Sequence, residues 1–311
     1  MSASSDQIGN FTLGQLAETP VEDVLALIDE GETRLPTPQD LYYRWERQQW
    51  RAQDIDFTQD KAQWAELVTP ETRPMRMGGI SAFFVGEASV TDTLAPICLA
   101  IPGEAERIFL TTQLADEARH TVFFERFFRE VVALPGERLE DMLAEARPFV
   151  RSSTAQMLLE VLPEATHRVA RDPGNMEALV EAITVYHILV EGAMALAGQR
   201  GMLNSYRQMN VLPGFRAGFT AVARDESRHV LFGVAFLRRM AQQDARYGRL
   251  VEEVVRRHAP LVWDALGPIP SSIPQILEQG GNPHETQEFA FHSLRKKLRV
   301  MGLSTDLPAV A

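Results

Sequence analysis

Apolar residues recur with a period near 3.6 through approximately 73–99, 103–132, 137–169, 175–202, 208–241 and 245–265, a succession that points to a bundle of long helices. The interruptions are turn-like, with Pro-Gly pairs at Pro102–Gly103, Pro135–Gly136, Pro173–Gly174 and Pro213–Gly214. Asn175 stands in position to cap the run that follows it. No window shows the Gly-bounded, β-branched alternation of a sheet strand, so the fold class is all-α. Residues 1–40 mix Gly, Pro and acidic residues around one short periodic piece and read as a loosely structured lead-in. Residues 41–311 read as a single helical domain with its core at about 73–241. Tyr42, Tyr43, Trp45 and Trp50 give the start of this domain enough aromatic surface to pack on the body. The last forty residues, with their Pro and Gly clusters, have room for one or two helices wrapping the bundle.

Charge and composition exclude several function classes. A formal net charge of -11 disfavours nucleic acid and anionic membrane as partners, and no Lys/Arg block offsets it. The short basic stretches at 256–260 and 295–300 read as solvated helix faces. A single cysteine, Cys98, rules out a disulfide framework and sits in an apolar segment as a small buried hydrophobe. The opening residues lack the basic start and apolar stretch of a secretory signal, and no segment holds eighteen apolar residues without charge. The expectation is a soluble cytoplasmic protein with no membrane span.

One motif recurs inside these helices. Asp-Glu-x-Arg-His occurs at 116–120 and again at 225–229, 109 positions on. A Glu followed three residues later by His puts carboxylate and imidazole on overlapping helix faces, within reach of one metal ion. A single such pair is weak evidence. Two pairs in long apolar helices weigh more, because charges facing a bundle interior are costly unless paired or ligated. Glu87 and Glu191, each following a strongly apolar run, complete the order Glu, Glu-x-x-His, Glu, Glu-x-x-His of a carboxylate-bridged dinuclear bundle site. The candidate ligands are Glu87, Glu117, His120, Glu191, Glu226 and His229. These N/O donors suit iron or manganese, and four carboxylates offset two divalent cations. Nothing resembles the His-Glu-x-x-His of a zinc hydrolase. His187, in the same apolar run as Glu191, reads as a core histidine or one that backs a ligand. Asp116 reads as a cap or charge partner, and Arg119 and Arg228 as helix-face residues balancing nearby acids.

With these residues in place the chain resembles the ferritin-like superfamily, and within it the R2-like proteins related to the small subunit of ribonucleotide reductase. The closest likeness is to the R2-like ligand-binding oxidases. It spans roughly Trp50 to Arg239 and rests on all six ligand positions. Glu87 stands where most radical-generating reductase subunits have Asp. Val90 and Tyr186 match the valine and tyrosine that these oxidases join through an ether link. After His120 only phenylalanines occupy the place of a radical-bearing tyrosine, and no tyrosine follows Tyr247, which argues against ribonucleotide reduction. Trp50 resembles the tryptophan that approaches the site, and Asp225 the aspartate linking it to a metal-bound histidine.

The resemblance implies a ferritin-like four-helix core with additional helices, and a homodimer. It implies manganese with Glu87, Glu117 and His120, and iron with Glu191, Glu226 and His229; a diiron pair is the alternative. It further implies O2 activation, two-electron C–H oxidation, a Val90–Tyr186 cross-link and a bound long-chain fatty acid. Residues suited to line the fatty-acid pocket are Phe83, Phe84, Val90, Ile183, Leu189, Ala193 and Met194. The electron donor is not identified. Three other readings compete: a diiron monooxygenase or N-oxygenase of a biosynthetic pathway, a ribonucleotide reductase small subunit, and a non-catalytic metal-storage or structural bundle. Two features depart from the pattern: the long stretch between Glu117 and Glu191 has no distinctive motif, and Gly78 and Gly79 weaken a helix interior just before the first ligand.

Overall fold

A computed structural model of the chain describes residues 8–278 and 280–308, and among these there is no strand. Helices α1 (Leu13–Glu18), α2 (Val21–Thr33), α3 (Pro38–Arg47) and α4 (Thr58–Leu67) lead into the long helices α5 (Arg73–Ala100) and α6 (Glu104–Phe127), the latter running on as a π-helical turn, Phe128–Val132. Next come α7 (Leu139–Ala146) and α8, which is continuous through Ser152–Gln156, Met157–Val161 and Leu162–Arg171. The long helices α9 (Met176–Gln208), α10 (Pro213–Gln243) and α11 (Ala245–Ala265) follow, then the short α12 (Ile273–Glu278) and α13 (Glu285–Met301).

Four of these carry the candidate ligands. Helix α5 packs on α6 and α9 packs on α10, and α6 meets α10 across the middle. Helix α10 is the axis of the molecule: nearly every residue from Gly214 to Leu237 is buried, including its charged ones. Its first turn is held by a distant residue, since buried Asp60 of α4 accepts from the backbone N–H of Gly214 at 2.9 Å and of Phe215 at 2.6 Å. These are donors a helix start leaves unpaired. Asn175 caps α9 as expected, its side-chain oxygen accepting from Ala178 N–H at 3.1 Å.

The expected loose lead-in is instead ordered from Leu13 onward. Helices α1 and α2 lie against α10 and bury Leu16, Val24 and Ile28, so the segment is stabilised by the surface it covers. Residues 1–7 of that lead-in lie outside the described residues. The single run expected over 137–169 is broken. Pro148 cannot continue α7, and a 3-10 turn at Arg147–Phe149 redirects the chain into α8. Gly78 and Gly79 lie within α5 without interrupting it. By length and composition alone α5 and α9 are long and apolar enough to cross a membrane, but 94% of the most apolar window of α9 is buried inside the protein.

Candidate metal centre

The six candidate ligands converge. Potential donor atoms of Glu87, Glu117, His120 and Glu226 lie within 4.8 Å of one another, and so do those of Glu117, Glu191, Glu226 and His229. Glu117 and Glu226 belong to both groups, so they occupy the bridging positions between two adjacent ion sites. The imidazoles present equivalent atoms. His120 Nδ1 lies 3.3 Å from Glu87, 3.5 Å from Glu226 and 3.7 Å from Glu117. His229 Nδ1 lies 3.3 Å from Glu226, 3.4 Å from Glu117 and 3.5 Å from Glu191. Both rings therefore offer Nδ1 inward and Nε2 outward.

Outside the ligands the two copies of the repeated motif cross. His120 Nε2 meets Asp225 at 3.3 Å, and His229 Nε2 meets Asp116 at 3.2 Å, so each histidine is oriented by the aspartate of the other copy. Each aspartate also accepts from an indole: Trp50 Nε1 donates to Asp225 at 2.8 Å and Trp45 Nε1 to Asp116 at 3.0 Å. Arg228, essentially fully buried, donates to Asp116 at 2.7 Å and to Asp225 at 2.9 Å, with Gln48 as its third partner. Arg119 pairs with both aspartates and lies over the Trp50 ring, 5.1 Å from its centroid. An outward N–H held by a carboxylate fixes the tautomer and makes the inward nitrogen a better ligand. Asp116, Arg119 and Arg228 thus do more than cap or balance charge on a helix face. The direct repetition of the motif signals this reciprocity, but which aspartate serves which histidine depends on how α6 and α10 pack.

Further residues back the cluster. The Tyr186 hydroxyl donates to Glu117 at 3.0 Å. Gln113, one turn before Glu117, donates from its amide nitrogen to Glu191 at 2.9 Å, and its amide oxygen accepts from His187 Nε2–H at 3.1 Å. Burial holds the His187 imidazole at about 3, so it is neutral. His187 therefore backs Glu191 through Gln113. Tyr186, His187 and Glu191 all lie in a π-helical stretch of α9, Thr184–Ala195.

The electrostatics fit metal occupancy. Burial raises Glu87 to about 8 and Glu191 well above the usual carboxylate range. Burial also works against ionisation of Glu117, but hydrogen bonding to His120 and the charges of the two histidines outweigh it and hold that carboxyl at about 2. Burial disfavours charged imidazoles, yet the surrounding carboxylates raise both His120 and His229 well above their ordinary value. Protons here stand in for missing positive charge. Glu191 Oε2 is buried with no hydrogen-bond partner, and four carboxylates face only two imidazoles. A pair of divalent cations satisfies both deficits, with hard oxygen and borderline nitrogen donors suited to iron or manganese.

A cavity of about 560 Å3 opens from the cluster, and Glu87, Glu117, Glu191 and Glu226 form one end of its wall. Of the residues expected to line a ligand pocket, Phe83, Val90 and Met194 do so. The others pack elsewhere in the core. Phe84 turns away and stacks on Phe128 at 4.6 Å; Leu189 and Ala193 fall off the lining stripe of α9, and Ile183 lies on the far side of Glu191. The lining contributed instead by Gly79, Ala82, Gly86, Gly198 and Gly201 was readable as small residues spaced by three or four along α5 and α9.

Residues 32–260 match the family described as ribonucleotide reductase, small chain. Among solved structures, the fold is similar to a single-residue variant of R2-like ligand-binding oxidase with an anaerobically reconstituted Mn/Fe cofactor. That match has TM-score 0.72 and 25% identity, covering 86% of this chain and 93% of that one. A second variant, with a non-activated Mn/Mn cofactor, gives TM-score 0.72 and 26% identity over 86% and 92%. With its helical fold and buried carboxylate–histidine site for two metals, the chain belongs to the ribonucleotide reductase small-chain family.

Proposed function

We propose that this protein is an O2-dependent oxidase with a manganese/iron pair that performs a two-electron C–H oxidation, beginning with Val90. The observation that carries the reading is the position of two side chains beside the carboxylate cluster. Tyr186 presents a buried hydroxyl to Glu117, and Val90, one turn beyond Glu87, lines the cavity that Glu87 and Glu117 also line. The Mn/Fe cofactor of the similar oxidase supports the choice of metals. When bound, the metals would supply the activation of O2.

The protein's contribution is placement. Glu117 and Glu226 would hold the two metals together, while Asp116 and Asp225 accept the outward N–H of the histidines and so direct the inward nitrogens to the metals. Burial and the neighbouring carboxylates hold the Tyr186 phenol well above its usual range, so it keeps its proton until it reacts. Joining Val90 Cβ to Tyr186 Oη breaks one C–H and one O–H bond and forms one C–O bond; two electrons and two protons pass to O2. Fixing both partners beside the oxidant makes the coupling intramolecular. The apolar cavity supports a long-chain fatty acid or similar molecule as ligand.

Aerobic reconstitution with Mn(II) and Fe(II), followed by metal analysis and intact and peptide mass spectrometry, tests the proposal. One ion of each metal, a loss of two hydrogens and a cross-linked peptide pair containing Val90 and Tyr186 are expected. Two irons with unlinked peptides would point instead to a diiron monooxygenase of the same architecture.

A further inference from the structure

Behind each metal-binding histidine stands an aspartate that also accepts from an indole, and one of the two indoles is continued outward by further oxidisable rings. Trp45 Nε1 donates to Asp116 Oδ1 at 3.0 Å, and the other oxygen of that carboxylate meets His229 Nε2 at 3.2 Å. The Trp45 ring centroid lies 6.0 Å from that of Tyr42, one turn earlier on α3, and Tyr42 lies 6.1 Å from Tyr43. Tyr43 is 46% exposed, and its hydroxyl accepts from Gln39 Nε2 at 2.7 Å. Three easily oxidised rings therefore run from solvent to the carboxylate behind His229. Burial gives little reason for the outermost one, since nearly half of it stays in water.

The branch through Trp50 is built differently. Among the described residues the rings beside it are His120, at 6.3 Å, and Phe123, at 6.2 Å. The first leads back to the metal centre, and a phenylalanine is too hard to oxidise to pass an electron on. Arg119 lies over the Trp50 ring, where a full positive charge opposes loss of an electron from it. Trp50 is also buried, so the branch stops short of the surface.

We infer that Tyr43, Tyr42 and Trp45 form a one-electron relay between the surface of α3 and the His229 side of the metal centre, with Asp116 as the link. When the centre is at its most oxidising, an electron leaves Trp45 for the metals and is replaced from Tyr42, then from Tyr43, then from an external one-electron donor. One donor is oxidised for each electron that reaches the metals, and every ring ends as it began. The Trp45 N–H stays shared with Asp116, whose negative charge stabilises the ring while it is positive. Tyr42 must shed a proton when it loses an electron, and Glu46 stands ready to take it: a hydrogen bond to that carboxylate holds the Tyr42 phenol above its ordinary range. Use of the relay by an O2-oxidised centre rests on the oxidase reading; conduction does not, because the same rings pass electrons outward to a stronger oxidant.

The test runs the relay outward, on the full-length protein loaded with Mn(II) and Fe(II) and kept free of O2. Flash-generated tris(bipyridine)ruthenium(III), a bulky oxidant confined to the surface, draws the electrons, and transient absorption follows tyrosyl and tryptophanyl radicals and the oxidation of the metals. In wild type the radicals are expected to decay as the metals are oxidised. Tyr42→Phe and Trp45→Phe should each slow metal oxidation about tenfold or more, Tyr42→Trp should restore it, and Trp50→Phe should stay within about threefold of wild type. Metal content is measured on each variant. Trp45→Phe also removes a hydrogen bond behind His229, whereas Tyr42→Phe leaves that contact in place, so slowing in Tyr42→Phe at unchanged metal content reports conduction rather than support of the site. Wild-type rates in Tyr42→Phe, or a loss confined to Trp50→Phe, would overturn the relay. Peptide mass spectrometry after aerobic loading reads the oxidase proposal separately: a relay that conducts in a chain that never forms the Val90–Tyr186 link stands, and only the oxidase reading is removed.

Discussion

Arg228 joins both halves of the site, because its buried guanidinium donates to the aspartate behind each metal-binding histidine. Removing one partner of such a buried charge network typically costs about 3–5 kcal/mol. Arg228→Leu is therefore expected to lower stability by an amount in that range and to weaken both metal sites together, read by chemical denaturation and by metal content. Trp50→Phe removes a single hydrogen bond, the one to Asp225, and should leave the His229 side intact. The pH dependence of loading has a definite sign. In the metal-free chain Glu87 titrates at about 8, so at neutral pH it holds a proton that a metal must displace. Metal uptake should release protons and tighten as pH rises toward 8, measurable by calorimetry in buffers of different ionisation enthalpy. The ligand residues themselves were legible because a carboxylate and an imidazole three apart, twice, in apolar helices have few other uses. Gln113 and Asp116 were not, since a buried amide or acid looks like any surface one until its partner, distant in sequence, is placed beside it.

At the scale of elements, the π-helical stretch of α9 explains a spacing that α-helical reasoning cannot. Tyr186 precedes Glu191 by five residues, which in an α-helix would put the two on divergent faces; i→i+5 hydrogen bonding widens the turn and brings both to the metal side. Helix boundaries at Arg73, Glu104, Met176 and Ala245 could be read from local Pro, Gly and cap signals, which do not depend on tertiary context. The break at Pro148 was masked by apolar periodicity continuing on both sides of it, and α1 and α2 were missed because short helices draw their stability from packing. The cap on α10 was equally invisible, since Asp60 lies 154 positions from Gly214. Asp60→Ala should lower stability by about 1–2 kcal/mol, the usual worth of a cap, with the loss visible in thermal melts followed by circular dichroism.

At the scale of the whole molecule, the metals are part of the fold's stability. A ligand present at a hundred times its dissociation constant stabilises by about 2.7 kcal/mol, so chelation should lower the melting midpoint and re-addition restore it. The crossed aspartate–histidine contacts give the bundle an approximate twofold relation between residues 109 positions apart: Glu117 with Glu226, His120 with His229, Asp116 with Asp225. A symmetric cage cannot sort two different ions. Any discrimination must come from places where the relation fails, and one that touches a ligand is Gln113, whose amide donates to Glu191 at 2.9 Å while its counterpart by the same 109-residue step is the apolar Val222. Gln113→Val makes the two halves more alike. If the proposed manganese/iron pair is sorted by this asymmetry, that variant, loaded from equal Mn(II) and Fe(II), is expected to carry a more nearly statistical mixture than wild type, as read by elemental analysis.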